Sequence, residues 1–107
     1  FVRLVATNPA KRFGLYPSKG TIAIGSDADV VVFDPNKRVK ITNALMHHAS
    51  DYTPFEGYEC LGYPVATYLR GQLVFDGSRI TGAPGQGRHL ARGPYLPPAP
   101  SALLPRE

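Results

Sequence analysis

The chain has 107 residues, 43% of them hydrophobic, and a formal net charge of +4. That is enough for one small domain, too apolar for a disordered chain, and without any stretch approaching a membrane span. Its basic residues are scattered, with no dense Lys/Arg run interleaved with aromatics, which argues against nucleic acid as a partner. One cysteine, Cys60, excludes an internal disulfide and fits a reducing compartment. Eleven glycines and eleven prolines point to turns, short strands and a loop-rich tail.

Phe1–Ala6 reads as the interior of an apolar helix with no N-cap before it, so the chain is expected to be the C-terminal piece of something longer. Asn8 is placed as the N-cap of a second short helix, Pro9 at its first position, and Gly14 as the left-handed residue that ends it. Tyr16–Gly20 is a loop, and the β-branched Thr21–Ile24 is expected to be a strand. The Gly25-Ser26-Asp27 corner leads into Val30–Phe33, an apolar run that predicts a buried strand. Asp27 and Asp29 could serve as metal ligands or acid/base groups. With no His or third acid nearby in sequence, the favoured reading is that they bond the corner's own backbone N–H groups.

Asp34-Pro35-Asn36 predicts a turn, and Val39–Thr42 alternates like a half-buried strand. His47 and His48 are adjacent and so point apart on either kind of element. That makes a poor chelate and favours a loop or interface role. Asp51–Glu59 is an aromatic, acidic loop. Cys60, which no nucleophile motif surrounds, is read as a small half-buried strand residue. After a Gly62-Tyr63-Pro64 break, Val65–Leu69 and Gln72–Phe75 form a hairpin through Arg70-Gly71, and Asp76-Gly77 closes it. Beyond Ile80 no hydrophobic period survives, and Pro94, Pro97, Pro98, Pro100 and Pro105 mark an extended tail.

The stretch from Thr7 through Lys19-Gly20-Thr21-Ile22 and Gly25-Ser26-Asp27-Ala28-Asp29 to Asp34-Pro35 resembles a signature of the amidohydrolase superfamily. Phe55-Glu56-Gly57, Gly62-x-Pro64, Leu69-Arg70-Gly71-Gln72-Leu73-Val74, Asp76-Gly77, Gly85-Gln86-Gly87-Arg88-His89-Leu90 and Arg92-Gly93-Pro94-Tyr95 resemble the C-terminal region of dihydropyrimidinases and hydantoinases. The likeness covers about residues 1–96.

The resemblance implies a mainly β piece with a short N-terminal helix, part of the β-sandwich that accompanies a (β/α)8 barrel. Residues 1–16 would end the last barrel helices, 17–80 would form the C-terminal half of a composite sandwich, and 81–107 an extended tail. It implies a cytoplasmic hydrolase of pyrimidine catabolism that opens dihydropyrimidine or 5-substituted hydantoin rings to N-carbamoyl amino acids. Two zinc ions bridged by a carbamylated lysine would do this in the parent barrel, with an aspartate moving the proton.

The family's His-x-His motif is missing, and His47, His48 and His89 do not match its ligands. No catalytic, metal or cofactor-binding residue is therefore carried over to this chain, which alone is expected to be inactive. Its implied partners are its own N-terminal barrel and sandwich strands, and further protomers, commonly as a tetramer. Arg79, Arg88 and Tyr95 are the candidate oligomer contacts. The alternatives are a non-catalytic relative such as the collapsin response mediator proteins, another cyclic amidohydrolase such as an allantoinase or dihydroorotase, or an independent binding module.

Overall fold

The structure, a computed structural model, describes residues 1–95. The tail expected beyond Tyr95 lies outside the described residues. Two compact units divide the chain. Among the described residues, one holds Phe1–Asp29, Leu69–Gly71 and residues 83–95; the other holds Val30–Tyr68 and Gln72–Gly82.

In the first unit a π-helical turn, Arg3–Thr7, runs directly into a single α-helix, α1 (Asn8–Arg12). The expected break at Asn8 is absent. Asn8 is itself helical and its N–H donates to the Arg3 carbonyl, so no side-chain cap is needed. Pro9 follows without an N–H to place, and the wider π turn just ahead of it opens the carbonyl row that its ring would otherwise strike.

Gly14 ends the helix as expected, in the left-handed region at φ 67°. The Leu15 and Tyr16 N–H groups both return to the Ala10 carbonyl, at 2.8 and 3.1 Å. Ala10 is buried because the loop backbone crosses it at Gly20, where a Cβ would stand 2.4 Å from the Ala10 Cβ. Thr7 fixes the crossing by donating its hydroxyl to the Gly20 carbonyl at 2.8 Å. A small residue on the helix and none on the loop are what this approach demands.

Thr21–Ile24 is not a strand. Ile22 and Ile24 are fully exposed, and no described strand pairs with them. β-branching suits a residue to a ladder, but a ladder needs a second chain segment to accept its bonds.

In the second unit three strands, β1 (Val30–Lys40), β2 (Glu59–Leu69) and β3 (Gln72–Phe75), form one sheet in the order β1-β2-β3. β1 joins what the sequence divided into two strands. Asp34 pairs with Tyr63 and Arg38 with Leu61, so the intervening Pro35-Asn36-Lys37 bulges from an antiparallel ladder that resumes beyond it. The Asp34 carboxylate accepts the Asn36 N–H at 2.8 Å inside this bulge, and Pro35 sits where no ladder donor is required. Pairing runs on past Lys40, with Ile41 N–H donating to the Tyr58 carbonyl and Gly57 N–H to that of Ile41, both at 2.8 Å.

The expected Gly62-Tyr63-Pro64 break is likewise absorbed into β2. Pro64 lies opposite Phe33, beside the register shift between Val32 and Phe33, which is how a central strand tolerates a proline. The hairpin is as expected: Arg70 and Gly71 take φ values of 48° and 80°, both positive as the tight two-residue turn requires.

The expected burial of Val30–Phe33 is not seen. Val31, Val32 and Phe33 are exposed, as are Leu61 and Leu73 on the neighbouring strands. Among the described residues only Ala10, at 5%, and Thr53, at 8%, are buried. A three-stranded sheet has two faces to cover, and no layer of the second unit covers either.

Candidate functional site

The densest polar cluster of the first unit gathers on Lys19. Its ammonium pairs with Asp27 Oδ2 at 2.8 Å and with Asp29 Oδ2. Local turns set this up. Asp27 N–H donates to the Ser18 carbonyl, Ser26 Oγ to the Pro17 carbonyl, and Asp29 N–H to the Asp27 carbonyl. These bonds fold residues 17–29 back so that both carboxylates face one ammonium.

Asp29 reaches beyond the corner. Its Oδ1 accepts the Arg70 N–H at 2.8 Å, while the Ala28 carbonyl accepts the Gly71 N–H at 2.9 Å. The tip of the β2–β3 hairpin is therefore tied to the residues just before β1. The acids thus bond a distant backbone N–H and a lysine, not the corner's own N–H groups.

The electrostatics follow from these contacts. The hydrogen bonds that Lys19 donates to Asp27 and Asp29 raise its pKa. Burial works against the charge on Asp29, but the bonds from Lys19 and the Arg70 N–H outweigh it and lower its pKa.

A pocket of about 370 Å³ opens beside this cluster. Lys19, Asp27 and Asp29 line it together with Leu69 and Arg70 and with Gly87, Arg88 and Leu90. Arg70 also holds the last of these segments in place, donating Nη2 to the Gln86 carbonyl at 2.6 Å. Further along, Gly93 N–H donates to the Gly14 carbonyl at 2.7 Å. The Arg12 guanidinium lies 5.4 Å from the centre of the Tyr95 ring, with Nη1 3.5 Å from its hydroxyl.

The other singled-out residues stand apart. His47 meets Phe75 edge-on, ring centres 6.0 Å apart, and His48 Nδ1 accepts the Ser50 N–H at 3.2 Å. Cys60 donates its thiol to the Val39 carbonyl at 3.4 Å from a half-buried strand position. No group of three or more His, Cys, Asp or Glu side chains among the described residues could share a metal ion.

Arg79 belongs to the second unit, while Arg88 and Tyr95 belong to the first. Arg79 is engaged by Asp76, which accepts its N–H and its Nε and also two bonds from Ser78. These bonds, the Arg79 N–H first, hold the Asp76 carboxyl well below the usual range. Sequence reading missed Lys19 and the backbone of Arg70 as the partners of the acid pair. The Lys19-Gly20 step was visible, but nothing in it indicated which charges it would meet.

Residues 1–75 match the pattern of the amidohydrolase family, and the chain belongs to that family. It is 47% identical over 95 residues to a D-hydantoinase of Ralstonia pickettii, and 45% identical over 98 residues to a D-phenylhydantoinase of Escherichia coli. These alignments cover 89% and 92% of the chain and 21% of either relative, so the chain spans about a fifth of the length of the curated relatives it matches. The solved dihydropyrimidinase of Brevibacillus agri NCHU1002 superposes with a TM-score of 0.86 at 40% identity, over 91% of this chain and 21% of that one. The hydantoinase likeness carried by the motifs of the second half is thus met by sequence and by structure.

Proposed function

We propose that this chain is the C-terminal, non-catalytic portion of a cyclic amidohydrolase that opens hydantoin or dihydropyrimidine rings to N-carbamoyl amino acids. One observation carries the reading: 47% identity to a hydantoinase over nine-tenths of the chain but only 21% of that relative. The exposed apolar residues of its sheet support it, since they need a covering layer that the described residues of the second unit do not supply.

Zinc chemistry would polarise the ring amide and activate water in the remainder of such a protein. The residues here do not fit that metal pair. Asp27 and Asp29 are committed to Lys19, and His47 and His48 have separate neighbours. No step is therefore routed through this chain. Its own residues act as scaffold, with Asp29 anchoring the hairpin tip and Gly20 and Ala10 packing loop on helix.

A cytoplasmic setting, a place in pyrimidine catabolism and assembly as a homotetramer belong to the same reading. Arg79, Arg88 and Tyr95 are its candidate contacts between protomers. No helix among the described residues is long and apolar enough to cross a membrane.

The test is hydrolysis of dihydrouracil and of 5-phenylhydantoin, assayed on the chain alone with added zinc and on the product of the uninterrupted reading frame. The longer product should turn over one or both rings and the chain neither. Turnover by the chain, or a longer product lacking a His-x-His pair and any hydrolysis, would overturn the proposal.

A further inference from the structure

The pocket beside Lys19 is lined by charged side chains that are not all paired with one another. Four of its five charged side chains already have partners. Lys19 is held by Asp27 and Asp29, and Arg70 is bonded through Nη2 to Gln86. Arg88 is the exception: its side chain makes no hydrogen bond or ion pair among the described residues, yet it lines the pocket.

Lys19, Arg70 and Arg88 against Asp27 and Asp29 leave the walls with one positive charge in excess. Leu69 and Leu90 add apolar surface beside it. At Gly87 the wall carries no side chain, and a Cβ placed there would meet nothing within 4 Å, so the space next to Arg88 is open.

We infer that this pocket binds a small monocarboxylate with a branched apolar body, its carboxylate on the Arg88 guanidinium and its tail against Leu69 and Leu90. A planar guanidinium fork matches a planar carboxylate through two parallel hydrogen bonds. One excess charge suits a monoanion. The two aspartates in the same lining disfavour a dianion such as phosphate, and the leucines offer it nothing. All of the pocket's lining residues lie in the first unit of this chain.

Saturation-transfer NMR on the product of the uninterrupted reading frame tests it, with isovalerate as ligand and isovaleramide as its uncharged isostere. Isovalerate should bind saturably with a millimolar dissociation constant, which is in keeping with so small a ligand. Isovaleramide should bind about tenfold more weakly, as loss of a charged hydrogen-bond pair predicts.

Two variants probe the same spot without touching the ion cluster. Arg88→Gln removes the fork from a side chain with no partner among the described residues. Gly87→Leu fills the open space at a position outside the left-handed region. Either should weaken isovalerate about tenfold. Equal binding of the amide, undiminished binding in both variants, or no saturable transfer from isovalerate would overturn the inference.

Discussion

Gly14 and Gly93, 79 positions apart, are joined backbone to backbone: the Gly93 N–H donates to the Gly14 carbonyl at 2.7 Å. A Cβ on Gly14 would lie 2.1 Å from the Gly93 carbonyl oxygen, so the segment can approach only a glycine. This contact and the Arg12–Tyr95 stack fasten residues 93–95 to the end of α1.

Gly14→Ala should therefore release that segment while leaving the sheet of the second unit intact. Strain at φ 67° adds to the clash, and each strained feature of this kind costs on the order of 1–3 kcal/mol. Hydrogen exchange reports it directly: the Gly93 amide should lose protection and the β1–β2 amides should keep theirs. Gly93→Ala should be milder, since a Cβ there would sit 3.4 Å from the Gly14 oxygen.

The Lys19–Asp29 pair gives stability a pH window. The Asp29 pKa is lowered below its ordinary 3.8, so its contribution is present above that value and is lost as pH falls through the depressed one. The Lys19 pKa is raised above its ordinary 10.5, so its share is present below that and lost as pH rises through the elevated value. In thermal melts across pH, Asp29→Asn should flatten the acid limb and Lys19→Met should flatten both. With these side chains partly open to solvent, the effect of either is about 1 kcal/mol. Identical acid limbs in wild type and Asp29→Asn would refute the assignment.

Asp76 closes the hairpin by accepting from Ser78 and Arg79, and those bonds favour its charged form. A carboxyl-carbon NMR titration should show no Asp76 step near the ordinary value of 3.8. Asp76→Asn should loosen residues 76–81, seen as faster exchange at the Thr81 amide, which donates to Val74 across the turn.

The exposed Val31, Phe33 and Leu61 make the sheet adhesive. Sedimentation of the isolated chain should show self-association that grows with concentration, and the double change Val31→Lys, Phe33→Lys should shift it toward monomer. A wild-type chain that stays monomeric at high concentration would count against an uncovered sheet.

Local chemistry was legible wherever neighbours in the chain decide the outcome. Gly14 ends a helix because only a left-handed residue does so cheaply, and Arg70-Gly71 makes a hairpin because both residues must turn through positive φ. The motifs spread from Thr7 to Tyr95 also carried the family, which the comparisons then showed.

What the residues could not announce was pairing across distance. Whether Thr21–Ile24 becomes a strand, or Pro35 ends one or merely bulges it, depends on which segment lies alongside. Asp29 reads alike as corner cap, metal ligand or anchor until Lys19 and the Arg70 N–H, 10 and 41 positions away, stand against it. Sequence alone determined where the backbone must turn, because that is set by the φ and ψ each residue tolerates. Only the tertiary structure decided which hydrogen-bonding groups meet, because those bonds are short-ranged and their partners are brought together by folding.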